Sequence, residues 1–318
     1  MQNKTLIEIV SKLTTKDNFF QYNISPLQTK HLNEYEQVIR LDNDSYCLDK
    51  YIYNRFEKKN FNFTSSGREA LELALINLNL CSDDEVWIET TTNNFYISGC
   101  VTSTIEKHCR WSRKFSNKTK VILINHEFGF PIEDIEYYLQ FNLPIIEDCA
   151  FSFMSQNEKE TVGKYSDYLV ISFPKFLPVP YGGGLYSKTM LSKVKNNNAV
   201  SIELLKKLVN FYVKDYDAIK DRRQSNYLLM LRLFKENDLS ARFELKDGYT
   251  PGVFMFKHGL NEKTVNDAKA YLNSQGIQSS VFYGEDSYFI PCHQEMTKSD
   301  IQYLVSKTIG VFKKKGEV

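Results

Sequence analysis

One lysine, Lys175, stands in the stretch Tyr168 to Tyr186, YLVISFPKFLPVPYGGGLY, surrounded by aromatic, aliphatic and proline residues. Burial in such a setting penalises the ammonium and lowers its pKa. An amine that can become neutral is a nucleophile able to form a Schiff base with an aldehyde. The same lysine could instead lay its stem along the apolar loop and carry its charge to water. Four further groups have the types that chemistry uses. Asp148 closes the apolar run NLPIIED, His126 closes KVILIN, and Tyr96 follows EVWIETTTNNF. In FTSSGREALELAL, the residues Ser65, Ser66, Gly67 and Arg68 open a helical pattern, and free N–H groups at a helix start seat a phosphate.

Those groups can meet only if particular elements bring them together. Ala70, Leu71, Ala74, Leu75 and Leu78 form a helical stripe, and Ser66 with Glu69 makes an S-x-x-E capping box, so a helix is expected from near Gly67. S-x-x-E is also the mark of an ordinary capped helix. The apolar runs around Glu85 to Ile88, Lys120 to Asn125, Pro144 to Asp148 and Tyr168 to Phe173 read as buried strands, with helical segments such as PIEDIEYYLQ between them. Strands alternating with helices imply an α/β fold: a mostly parallel sheet with helices on both faces. Ligands bind such sheets outside the carboxyl ends of the strands. Tyr96, His126, Asp148 and Lys175 each fall just past a different strand end, so distant positions can converge.

After Tyr186 the composition changes to Lys-, Asn- and Leu-rich helical sequence. PGVFMFKH, NEKTVNDAKAYLNSQG, IQSSVFY and MTKSDIQYLVSKTIGVF then read as strand, helix, strand and helix. This predicts a large domain over 1–190 and a small C-terminal α+β domain over 191–318, with the first 60 or so residues expected to pack partly with the small domain.

With 318 residues and a net charge of +1, the chain has no polyanion-binding bias, so nucleic acid is not an expected partner. The six cysteines form no CxxC pair and read as reduced thiols of a cytoplasmic protein, with no metal motif. No apolar run approaches the roughly 18 residues of a membrane span. The N-terminal MQNKTLIEIVSKL is amphipathic and lacks the apolar stretch of an export signal.

A lysine for an aldehyde, a carboxylate and a phosphate seat together meet the demands of pyridoxal 5'-phosphate. Lys175 would hold the aldehyde and shuttle a proton, and Asp148 would keep the pyridine nitrogen protonated. Ser66 and Gly67, with Arg68 and Ser172, would hold the phosphate, while Tyr96 would stack on the ring.

FTSSGREALELAL, INHEFGFPIED, IIEDCA, VGKYSDYLVISF, Lys175 followed by Gly182-Gly183, and PCHQEMTKSDIQYLV resemble, in order, the motifs of the DegT/DnrJ/EryC1/StrS aminotransferases. The resemblance implies a fold-type I aminotransferase that moves an amino group from glutamate to a nucleotide-linked keto-sugar, in surface polysaccharide or glycan synthesis. It also implies a homodimer with sites at the subunit interface. Lys175 matches the Schiff-base lysine, Asp148 the carboxylate on the pyridine nitrogen, and Ser66 and Gly67 the phosphate turn. Tyr96 matches the stacking aromatic if two residues of the TTTNN loop are skipped. His126 matches a motif histidine with a structural or substrate-facing role, and Phe151 and Tyr181 are expected on the substrate side. The chain departs from the pattern in three places. Phe151 replaces the usual Gln or His, Ser172 stands three residues before the lysine instead of five, and no G-Y-N-Y-R counterpart follows the glycines. These departures also suit a smaller keto acceptor, or a non-catalytic relative that keeps the fold to bind sugar nucleotide or a partner.

Overall fold

The computed structural model describes residues 20–40, 47–56, 60–193 and 199–316. The amphipathic N-terminal stretch lies outside them. Strands β1 (Asn60–Thr64), β2 (Glu85–Thr90), β3 (Arg110–Ser112), β4 (Thr119–Asn125), β5 (Ile145–Asp148), β6 (Tyr168–Ser172) and β7 (Gly183–Ser187) form one sheet in the order β1-β7-β6-β5-β4-β2-β3. From β3 to β6 all pairs are parallel, and β7 runs antiparallel to both β6 and β1. The sheet is therefore mostly parallel, as the alternating pattern requires.

Continuous apolar runs are explained by two covered faces. In β4, Val121, Ile122, Leu123 and Ile124 are all inaccessible to solvent, yet they serve different cores. Ile122 and Ile124 point to one side with helices α1 (Lys30–Arg40) and α2 (Cys47–Phe56). Val121 and Leu123 point to the other, with α3 (Gly67–Leu78) and α4 (Gly99–Ile105). The side-chain period of two sends alternate residues to opposite faces. The stretch PIEDIEYYLQ supplies a 3-10 turn at Ile135–Phe141 instead of a full α-helix. Strand β1 had no clear signal of its own. It forms because β7 offers it an edge to pair with.

Helix α5 (Ala199–Val213) packs Leu205, Leu208, Val209 and Tyr212 into the first core, beside α1 and α2. Helix α6 (Tyr216–Lys235) begins in that core with Ile219 and ends in another with Tyr227, Met230 and Phe234. The division between the two cores thus falls within α6. The second core lies under a three-stranded antiparallel sheet of β8 (Val253–Lys257), β10 (Ser287–Pro291) and β9 (Ser280–Phe282), with α7 (Glu262–Ser274) and α8 (Lys298–Gly316). Near the N-terminus, Tyr22 pairs with this part: its N–H donates to the Gly276 carbonyl and its carbonyl accepts from Gln278.

Candidate active site

Parallel pairing sets the strand ends level. Thr90 stands opposite Asn125, and Asn125 opposite Asp148, so β2, β4 and β5 finish on one edge of the sheet. There, a cavity of about 600 Å³ opens between the sheet and the β9/β10 strands. Lys175, Asp148, Ser66, Gly67, Arg68, Tyr96, Ser172, His126 and Phe151 all line it.

Asp148 and its neighbour Glu147 face opposite ways, as successive strand residues must. Glu147 is sealed in the core, where its Oε2 accepts from His126 Nε2 and from the Gly163 N–H, both at 2.9 Å. His126 Nδ1 in turn accepts the Ile132 N–H at 3.1 Å, so the neutral ring carries its hydrogen on Nε2 toward Glu147. Both ring nitrogens are thereby engaged, and His126 forms the floor of the cavity. Cys149 lies close enough that the His126, Glu147 and Cys149 ligand atoms fall within 4.8 Å of one another. That cluster is sealed in the core, and the Nε2 hydrogen already occupies the histidine's inward nitrogen. Asp148 turns to the cavity instead, with Oδ1 accepting the Ala150 N–H at 2.9 Å. Burial pushes its carboxyl pKa up, while that N–H and the nearby His126 ring and Lys175 amine oppose the rise.

The helix start is built as the capping box predicts, with one difference. Ser66 Oγ accepts the Glu69 N–H at 3.2 Å, while the Glu69 carboxylate reaches back past Ser66 to the Ser65 N–H. The N–H groups of Gly67 and Arg68 have no acceptor among the described residues. A Cβ at Gly67 would lie 3.1 Å from Ser172 Cβ, so the missing side chain is what lets the helix start meet the end of β6. Gly183 answers a tighter demand. A Cβ there would sit 2.4 Å from the Ser66 carbonyl carbon and 2.5 Å from the Gly67 nitrogen. The triple glycine after Lys175 thus admits β7 against the helix start.

Lys175 ends the short turn Phe173–Lys175 that follows β6. Its Nζ lies 4.3 Å from the centre of the Phe151 ring, and among the described residues nothing accepts a hydrogen bond from it. Burial lowers the amine's pKa, against the pull of Cys100 and Asp148. Of the two readings open for this lysine, the structure shows the inward-facing amine.

A family model described as "Putative PLP-dependent aminotransferase" matches residues 49–242, well over half of the chain. The chain belongs to this family of PLP-dependent aminotransferases. GDP-perosamine synthase of Escherichia coli O157:H7 is 27% identical over an alignment of 175 residues that covers 48% of this chain and 48% of that protein. The match thus spans about half the length of that curated relative. Among solved structures, the aminotransferase TlmJ of Streptoalloteichus hindustanus superposes with a TM-score of 0.74 at 15% identity, over 92% of this chain and 99% of that one. A DegT DnrJ EryC1 StrS aminotransferase of Brucella abortus gives 0.65 at 12% identity, over 98% and 96%. These similarities show the fold-type I architecture.

The donor set of this family member fits pyridoxal phosphate. An amine without a hydrogen-bond acceptor, a carboxylate facing the cavity and two unpartnered N–H groups at a helix start occupy three sides of one cavity. Ser172, whose shifted position left its part open, stands beside that helix start. Tyr96 does line the cavity, but it is 42% exposed and its ring tilts against Tyr283, 5.4 Å between centres. Tyr181 does not join the group. Its hydroxyl donates to the Ser201 carbonyl at 2.8 Å, because the chain has already turned toward β7 and α5.

The opposite wall was not foreseen from the sequence. Phe128, Phe282, Tyr283 and Phe289 face the cavity from the His126 loop and from β9 and β10. The Phe128 ring lies 5.2 Å from Phe151, 5.5 Å from Phe282 and 5.1 Å from Phe289. It sits at the first central position of a tight turn closed by the Phe130 N–H to the Glu127 carbonyl, with φ of 53° followed by 97° at Gly129. Such turns favour Asn-Gly, and a bulky residue there costs about 1–2 kcal/mol. That unusual residue before the glycine was the one available sequence signal.

Proposed function

We propose that the protein is a PLP-dependent aminotransferase that takes an amino group from glutamate and delivers it to a keto-sugar, nucleotide-linked or smaller, in glycan synthesis. The observation that carries this reading is the joint placement of Lys175, Asp148 and the Gly67 helix start around one cavity. Membership of the aminotransferase family and the GDP-perosamine synthase similarity support it.

Bound here, the cofactor would supply an aldehyde carbon for an amine and a ring that draws electrons from the carbon bearing the transferred nitrogen. The chain's own groups would do the rest. Gly67 and Arg68 N–H groups, with Ser66 and Ser172, would hold the phosphate at the positive end of the helix. Asp148, with its carboxylate supported by the Ala150 N–H, would hold a proton on the ring nitrogen. Lys175 would hold the cofactor through Nζ, and the same amine, free, could move a proton as general acid and base. Its lowered pKa suits both tasks. The aromatic wall excludes water and offers ring faces to the acceptor. The Arg68 guanidinium, at the cavity and 2.9 Å from Cys100 Sγ, would take a donor carboxylate or the phosphate.

We further read the protein as a cytoplasmic homodimer. Its cysteines are all free, and Phe95, 73% exposed and next in sequence to the cavity-lining Tyr96, is a suitable residue for a second copy to cover. Among the described residues no helix is long and apolar enough to cross a membrane.

The test is an absorption spectrum of purified protein with pyridoxal phosphate, before and after borohydride, followed by peptide mapping. A visible band that becomes a permanent adduct on Lys175, and that glutamate discharges beforehand, is the expected result. A chain that yields neither band nor adduct would overturn the enzymatic reading.

A further inference from the structure

Arg223, in the middle of α6, is completely buried, yet among the described residues no ion pair reaches it. Its guanidinium donates from Nε to Gln294 Oε1 at 2.8 Å, from Nη1 to the Pro251 carbonyl at 3.0 Å, and from Nη2 to the Lys175 carbonyl at 2.9 Å. The fork also stacks on the Phe176 ring at 4.5 Å. Gln294, itself buried, donates from Nε2 to the Phe176 carbonyl at 2.8 Å. Two side chains thus grip two consecutive carbonyls, those of Lys175 and Phe176.

Burying a guanidinium among neutral partners is expensive, and burial brings this one's pKa down to about 10. An apolar side chain would fill the space at lower cost. What only arginine supplies is a rigid planar fork that donates in three directions at once. Those directions here are helix α6's own partner Gln294, the approach to β8 at Pro251, and the main chain of the reactive lysine. Holding the Lys175 carbonyl fixes the peptide plane, and with it the Cα–Cβ direction from which a long flexible side chain must reach the cavity.

We propose that Arg223, oriented by Gln294, is a positioning residue for Lys175, fixing the lysine's main chain from the second core and so setting the reactivity of its amine. The proposal rests on the reading of Lys175 as the reacting amine. Its test therefore reads that amine directly, in the full chain without cofactor. Trace acetic anhydride labels lysines in proportion to their neutral, accessible fraction, and Lys107 and Lys159 serve as exposed references. In the native chain Lys175 should label at lower pH than either.

Because Arg223→Met strands the buried Pro251 and Lys175 carbonyls at a cost that folding has to bear, the decisive variant is Gln294→Met, similar in length and volume. With folding retained, Lys175 labelling relative to the references should fall about tenfold, and the pH midpoint of its profile should move. Gln294→Glu keeps an acceptor for Arg223 Nε but gives up the donation to the Phe176 carbonyl; because the Lys175 carbonyl is held by Arg223 itself, labelling should stay within about twofold of native. A native profile in folded Gln294→Met, or an equal loss in both variants, would overturn the role of Arg223. If the native chain itself shows no early-labelling Lys175, the reading of the lysine fails, and the clamp with it.

Discussion

The two walls of the cavity are built by opposite means. The sheet side places its polar groups by backbone geometry: Asp148 by strand register, the Gly67 and Arg68 N–H groups by a capped helix start, and Lys175 by a turn closed through Phe173. The β9/β10 side contributes ring faces from Phe282 and Phe289, met by Phe128 from a strained turn. Backbone-placed groups cannot drift without loss of the sheet itself, which suits chemistry that tolerates little displacement. Ring faces pack without direction and can be exchanged for others, which suits the choice of substrate.

If that division is right, substitutions on the two walls should fail differently. On the polar wall, Lys175→Ala should abolish transamination while leaving the fold intact. Full turnover in that variant would remove the mechanism altogether. Asp148→Asn keeps the size but not the charge, and should cost about 10²–10³ in rate, the scale of a directed electrostatic group. A near-normal rate, measured in the glutamate half-reaction, would take Asp148 out of its role.

On the aromatic wall, Phe128→Asn puts into the turn a residue that tolerates positive φ. It should raise the acceptor KM about tenfold, with the glutamate half-reaction within twofold of native. An equal loss in both half-reactions would mean the walls are not separate in function.

The smallest effect lies away from the cavity. Burial holds His293 down at about 3, so the unfolded chain takes up a proton near 6.5 that the folded chain refuses. Stability is therefore lost as pH falls from about 6.5 toward 3. Burial works against the Glu295 carboxylate, but hydrogen bonds from His31 and Lys30 hold its pKa at about 2, below the ordinary 4.5. It therefore adds stability that is lost as pH falls from about 4.5 toward 2. Thermal melts from pH 8 to 3 should decline accordingly, and His293→Gln should flatten the upper part of that slope. An unchanged slope would place the acid sensitivity elsewhere.

Sequence alone settled whatever depends on local pattern. Apolar runs placed β4, β5 and β6, since a strand covered on both faces must be apolar throughout. Ser66 and Glu69 placed the helix start, because capping is satisfied within four residues. The strand-end rule then set Asp148 and Lys175 at one edge. Tyr181 was misplaced because a proline-rich path to β7 has no period to read. Which core α5 would join was not legible, because α5 is amphipathic and nothing in its own residues says which core its apolar face will meet. Phe282, Phe289 and Arg223 were invisible for the same reason. An aromatic in a strand or an arginine in a helix looks the same wherever it points, and only the packing of the second core against the sheet turns these residues toward the cavity and Lys175.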